Sequence, residues 1–203
     1  MGNHLVVTIG RTFGSGGRDI GKKLADELNM AYYDKDLLEE VAAHSGLDAA
    51  YVKLFDERKP RLAVFSSMPI GIIGDERSME VRVQTLQHEV IEKLVAKGPC
   101  VIIGRKADQL LRNRPNTHNI FITAPLQYCA KRVSVRDELT KDESIQKVLR
   151  MNRSRKYYYN YTGDGRWGEA SNYELCLDSS VLGIAGAVRL IKTYLELCGD
   201  IPT

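Results

Sequence analysis

Residues 5–28 read LVVTIGRTFGSGGRDIGKKLADEL. Leu5, Val6, Val7 and Ile9 form an apolar, β-branched run, the pattern of a buried strand. Gly10, Gly14, Gly16 and Gly17 follow within a short span. Ile20, Leu24 and Leu28, with small Gly21 and Ala25 beside them, then mark one face of a helix. Strand, glycine-rich loop and helix form the layout of a phosphate cradle. Glycines let backbone N–H groups turn inward, and the helix N-terminus adds the positive end of its dipole. Against the pattern G-x-x-x-x-G-K-[ST] the fit is imperfect. Gly17 stands at the lysine position, and Arg18 or Asp19 follows, depending on alignment. Glycines also serve plain turns, but the flanking strand and helix favour phosphate binding.

Outward from this stretch, short apolar strands alternate with amphipathic helices. Strands are predicted at residues 31–34, 100–103, 119–123 and 174–177. Helices are predicted at 36–45, 47–57, 79–97, 105–112, 125–139 and 143–159. The last helix carries Val181, Ile184, Val188, Ile191, Leu195 and Cys198 as one apolar stripe. Residues 58–78 contain Pro60, Pro69, Gly71 and Gly74 and read as a lid or binding loop. The alternation predicts an α/β domain with a parallel sheet. Ligands in such sheets bind outside the carboxyl ends of the strands. That rule selects residues 11–19, Asp34, Lys35, Gly104, Arg105, Thr123 and 178–180.

The chain has 203 residues, 27% of them charged, with a net charge of +3. That size suits one domain with a full core. The charge is too mild to imply nucleic acid, so basic residues matter where they cluster. No leader pattern and no apolar run near ~20 residues occurs, which predicts a cytoplasmic protein with no membrane span. Cys100, Cys129, Cys176 and Cys198 include no C-x-x-C pair and read as buried small hydrophobes in a reducing compartment.

Within the selected set, Arg11 and Arg18 are candidates to replace the charge of the missing lysine, because a guanidinium forks onto phosphate oxygens. Arg18 in the first helical turn opposes the helix dipole, which favours a ligand role. Asp19 reads as an N-terminal helix acid or as a Mg²⁺ anchor through water. Arg105 ends a buried strand, a costly position for a cation unless it is paired or faces a cleft. Arg150, Arg153, Arg155 and Lys156, with Arg132 and Arg136 on the preceding helix, form a basic cluster. Arginines closing from a lid suit the charge of phosphoryl transfer, and a solvated basic face is the alternative. Tyr157, Tyr158, Tyr159, Tyr161 and Trp167 read as packing or interface, with base stacking as the alternative.

Several stretches together resemble one family. They are VVTIGRTFGSGGRDIGKKLA (6–25), YYDKDLL (32–38), QHEVIEKLVAKGPCVIIGRKADQLL (87–111), IFITAP (120–125) with CAKR (129–132), RMNRSRKYY (150–158) and YELCLDSS (173–180). The chain resembles the cytidylate kinase-like family, a branch of the P-loop nucleoside monophosphate kinases, over nearly its whole length. YYDKDLL and the GPCVIIGR–KAD block are specific to this branch, whose loop also lacks the lysine.

The resemblance implies a three-layer P-loop kinase fold: a parallel five-stranded sheet flanked by helices, with a helical lid at about 132–168 and an acceptor-binding insert at about 35–80, in a single domain over 1–203. It implies ATP and Mg²⁺ as donor. Gly14, Ser15, Gly16, Gly17, Arg18 and Asp19, with Arg11, would hold the ATP phosphates. Arg105 matches the acceptor-phosphate arginine, and Arg150 and Arg155 match basic residues of the lid. Asp34, Lys35, Arg105, Thr123, Arg132 and Ser154 would border the acceptor. Thr123 and Ser154 stand where cytosine-reading acids occur in true cytidylate kinases, Met151 and Asn152 replace lid aspartates, and Glu40 falls near an expected arginine. The implied activity is transfer of the ATP γ-phosphoryl group to a nucleoside monophosphate or another small phosphorylated acceptor. The alternative is a non-catalytic nucleotide-binding regulator. The tyrosine-rich surface and the apolar stretch AVFSSMPIGII are compatible with a homodimer.

Overall fold

The computed structural model describes residues 4–34, 76–160 and 166–202. The helices expected at 36–45 and 47–57, the irregular stretch up to residue 75, Lys35 and Tyr161 lie outside the described residues. Strand β1 (Val6–Arg11) leads into helix α1 (Gly17–Glu27), strand β2 (Ala31–Tyr33), helix α2 (Glu76–Lys97), strand β3 (Cys100–Ile103) and short helix α3 (Ala107–Leu110). Strand β4 (Thr117–Thr123), helices α4 (Leu126–Asp137) and α5 (Lys141–Asn160), strand β5 (Leu175–Asp178) and helix α6 (Ser179–Cys198) complete the order.

The sheet runs β2-β3-β1-β4-β5 and every neighbouring pair is parallel. β1 lies in the middle, with β3 on one side and β4 on the other. The chain winds first toward β2 and then back past β1, so a crevice opens at the carboxyl end of β1.

Alternation along the strands sends successive side chains to opposite faces. Val7, Ile9, Val101, Ile103, Ile120 and Ile122 pack against Ile20 and Leu24 of α1 and Val188, Ile191 and Leu195 of α6. Val6, Cys100 and Ile102 pack on the other face against Val90, Ile91, Leu94 and Val95 of α2 and Ala107 of α3. The result is three layers. A smaller cluster of Cys129, Val133 and Val148 joins α4 to α5.

Four expectations need correction. α2 begins at Glu76, three residues before the predicted start. The predicted helix over 105–112 shrinks to α3, because Gly104, Arg105 and Lys106 all have positive φ and form a left-handed turn after β3. The stripe on the last helix starts at Ile184 and not at Val181, which is 79% exposed. Gly183 (φ 63°, ψ −179°) breaks the helix there and rotates its first turn out of register. Only Cys100 and Cys129 are buried, whereas Cys176 lies on the last strand, β5, and Cys198 ends α6, both exposed. Among the described residues no helix is long and apolar enough to cross a membrane.

Candidate active site

The chain leaves β1 at Arg11 and turns through residues 12–16 into α1. Gly14 (φ +86°) and Gly16 (φ +85°) occupy the left-handed region, where a Cβ costs roughly 1–2 kcal/mol. Space is also lacking. A Cβ on Gly14 would lie 2.7 Å from the Cys129 carbonyl oxygen of α4, and one on Gly16 would lie 2.7 Å from Ile184 Cδ1.

Distant residues hold the loop. The buried Ser15 hydroxyl donates to the carbonyls of Thr12 (2.9 Å) and Ile122 (3.2 Å). The Ser179 hydroxyl donates to the Ser15 carbonyl at 2.5 Å and the Thr123 carbonyl at 3.1 Å. The Phe13 amide donates to Asn152 Oδ1 of α5 at 2.7 Å, and Arg155 Nη1 donates to the Arg11 carbonyl at 3.1 Å. The Ser15 amide points at the Thr12 carbonyl, 3.4 Å away. Ser15, read from the sequence as part of the phosphate set, therefore serves the shape of the loop. The first intrahelical bond of α1 runs from Ile20 N–H to the Gly16 carbonyl. Helix geometry leaves the amides of Gly17, Arg18 and Asp19 without intrahelical acceptors, at the end where the dipole favours an anion.

Arginines surround this loop. Arg18 Nε donates to Asp34 Oδ2 at 2.5 Å, and Asp34 is buried at the end of β2. Arg132 Nη2 of α4 donates to Asp19 Oδ2 at 2.7 Å. The guanidinium groups of Arg136 (5.1 Å) and Arg155 (5.4 Å) both approach the Phe13 ring. Two of the cations near the loop are thus held on carboxylates. Burial, then the Asp34 charge, pushes the neighbouring Tyr32 hydroxyl up to about 12.

A narrow cleft opens beside the carboxyl ends of β1 and β3. Arg11, Arg105, Lys106, Arg155, Tyr158 and Trp167 line it. Arg105 is 1% exposed and Arg155 is 6% exposed, so both cations are carried inside the fold and not displayed on it. Lys106 Nζ sits 5.7 Å from the Tyr158 ring centroid. On the cleft wall the Tyr159 hydroxyl donates to Asp108 Oδ2. Burial pushes the Asp108 carboxyl up, against the pull of Tyr159, and burial also pushes Tyr159 up.

The basic cluster read on α5 divides in two. Val148, Arg155 and Tyr159 are buried, and Asn152 reaches the loop, so this stripe faces inward. Arg150 and Arg153 are exposed on the other side, because residues two and five places from Val148 fall across the helix axis from it. Ser154 and Thr123 are half-buried; the Thr123 carbonyl takes the Ser179 hydroxyl. Trp167 packs edge-on against Phe121 at 5.5 Å, and Tyr173 lies 4.9 Å from the same ring, which supports packing for these aromatics.

Sequence reading missed three contributors. Asn152 anchors the loop, and its place on the 148–152–155–159 stripe was a usable signal. Lys106 lines the cleft through a left-handed turn that the helical pattern hid. The Asp108–Tyr159 contact had no signal, since 51 residues separate the two.

The parallel sheet and the glycine loop at the carboxyl end of its central strand are the layout of a P-loop kinase fold. The model of the cytidylate kinase-like family matches residues 6–181, and the chain belongs to that family. It is 23% identical over 196 residues to a cytidylate kinase of Methanocaldococcus jannaschii, covering 95% of this chain and 98% of that one. It is 24% identical to a cytidylate kinase of Pyrococcus horikoshii, covering 97% and 92%. A crystal structure of an uncharacterized protein from Eubacterium ventriosum superposes with a TM-score of 0.73 at 26% identity, covering 95% of this chain and 99% of that one. A shikimate kinase from Bacteroides thetaiotaomicron shares the fold, with a TM-score of 0.54 at 14% identity over 95% of this chain and 98% of its own.

Proposed function

We propose that this chain transfers the γ-phosphoryl group of ATP to a nucleoside monophosphate or a similar small phosphorylated acceptor. The observation that carries this reading is the pairing of the glycine loop with a cleft that gathers Arg11, Arg105, Lys106 and Arg155 beside two aromatic side chains. A cleft of that make-up suits a phosphate joined to a ring.

The donor set fits a polyphosphate. Gly14, Gly16 and Gly17 keep the backbone open, and the amides of residues 17–19 supply donors. Arg18 and Arg132 would transfer from Asp34 and Asp19 to phosphate oxygens when the nucleotide enters. Asp19, with a side chain 61% exposed, would then anchor Mg²⁺ through water. When bound, MgATP would supply the phosphoryl group, and its Mg²⁺ would offset the charge on the phosphate oxygens. Arg105 would grip the acceptor phosphate, and Arg155 would face the transferring group, where charge spreads over equatorial oxygens. Asp34, Lys35, Thr123 and Ser154 would border the acceptor. Arg150 and Arg153 fall outside this set because they sit on the exposed side of α5.

The test is turnover of MgATP by purified protein with a panel of nucleoside monophosphates and small phosphorylated acceptors. Activity is expected with at least one, and Arg105→Ala should lower kcat/KM by roughly 100- to 1,000-fold. No turnover above background with any acceptor would sink the proposal. A second reading, a nucleotide-binding regulator, draws on the glycine at the lysine position and on Arg18 being engaged by Asp34. Calorimetric binding of ATP without phosphoryl transfer would favour it.

A further inference from the structure

At the amino ends of the strands, away from the glycine loop, a second polar cluster joins β4 to the end of α6. His118 is the second residue of β4. Its Nδ1 lies 2.8 Å from the Tyr194 hydroxyl, and its Nε2 lies 2.9 Å from Asp200 Oδ2. Cys198 completes the group. The imidazole nitrogen, the thiol sulfur and a carboxylate oxygen all lie within 4.8 Å of one another. His118 and Asp200 have side chains only 12% and 15% exposed, while Cys198 opens to solvent.

The backbone builds this arrangement. Gly199 ends α6 at φ 79°, with its N–H on the Glu196 carbonyl and the Asp200 N–H on the Leu195 carbonyl. That pair of bonds is a Schellman turn. It folds the chain back after the helix and presents Cys198 and Asp200, two residues apart, to the same imidazole.

Both ring nitrogens of His118 are engaged, Nδ1 by the Tyr194 hydroxyl and Nε2 by Asp200, so the imidazole is held in place beside the thiol and the carboxylate.

We propose that His118 Nε2, Cys198 Sγ and Asp200 form a zinc site with an open fourth position toward solvent. Nitrogen, sulfur and oxygen donors together suit zinc, whereas magnesium takes oxygen alone. Tetrahedral zinc with bonds of roughly 2.0–2.3 Å holds its ligand atoms roughly 3.3–3.6 Å apart. Nε2 and Asp200 Oδ2 stand 2.9 Å apart and no pair in the group exceeds 4.8 Å, so an ion would enter by side-chain shifts. Tyr194 on Nδ1 is the outer partner that fixes the ring and its tautomer. Binding releases the thiol proton and any proton on Nε2 to solvent. The site pins the last turn of the chain to β4 and takes no part in the phosphoryl chemistry proposed above.

The test uses the full chain, stripped with a chelator and titrated with cobalt(II), then with zinc. One equivalent of cobalt should produce a thiolate-to-cobalt charge-transfer band that one equivalent of zinc abolishes. Cys198→Ser should remove the band, and Cys176→Ser, at the other exposed thiol, should keep it. Asp200→Asn should weaken zinc, and Tyr194→Phe should weaken it roughly 10- to 100-fold. Zinc should raise the melting temperature of the wild type and of Cys176→Ser but not of Cys198→Ser. Absence of the band at excess cobalt, or its persistence in Cys198→Ser, would overturn the proposal.

Discussion

The two sides of the α4–α5 pair carry similar residues and do different things with them. Toward the loop, Cys129 meets Gly14, Arg132 holds Asp19, Asn152 holds the Phe13 amide and Arg155 holds the Arg11 carbonyl. Toward solvent lie Val135, Leu149, Arg150, Arg153 and Tyr157, all exposed. Arginine, aromatic and aliphatic side chains occur on both sides, so residue type does not mark the working face. Burial does. A guanidinium taken out of water must be repaid by hydrogen bonds, and those bonds fix the backbone that gives them.

The sharpest way to break this contrast is at the contact between loop and α4. Gly14→Ala combines left-handed strain with overlap on the Cys129 carbonyl and should cost about 2–4 kcal/mol, read by urea denaturation. An unchanged midpoint would mean that the loop is not held as described. Next in size, Arg155→Ala should cost about 1.5–3 kcal/mol, since it removes a charged donor from the Arg11 carbonyl and a cation from the Phe13 ring. Arg150→Ala and Arg153→Ala should each stay within about 0.5 kcal/mol. Equal losses on the two sides of α5 would erase the distinction.

The smallest effect concerns Asp108, the acceptor of the Tyr159 hydroxyl. Its folded carboxyl titrates above its ordinary value because it is buried. Between those two values the folded chain keeps a proton that the unfolded chain has lost. Its contribution is therefore complete below about pH 4 and falls away as pH rises through the folded value. Asp108→Asn does not titrate and should gain on the wild type as pH rises from 4 to 7, by less than Arg155→Ala loses. Melting curves over that range would show it, and parallel curves would count against the buried carboxylate.

Legibility followed the distance between the residues concerned. The five strands show as short strand-like runs and the stripe of α1 as a period of 3.6, both of which neighbouring residues display. Arg105 could be picked out because a cation ending an apolar strand is unusual wherever it occurs. The sequence reading put Arg150, Arg153 and Arg155 into one cluster, although Arg155 lies across the helix from the face that Arg150 and Arg153 share. The break at Gly183 hid inside an apolar run, and a glycine in a helix does not announce which φ it adopts. Asp108–Tyr159 and His118–Asp200 depend on docking between elements 51 and 82 residues apart, which no local pattern encodes.

The glycine loop is local in sequence but not in its supports. The partners of Phe13, Arg11 and the Ser15 carbonyl lie 139, 144 and 164 residues further along the chain. Seen as an event in time, the motif emerges early in synthesis and acquires its shape late. Contacts of such long range form only after large loops have closed. A nascent chain carries all four glycines long before the contacts that shape them exist. The loop takes its shape when Ser179 reaches it, which ties that shape to the arrival of β5 and the start of α6.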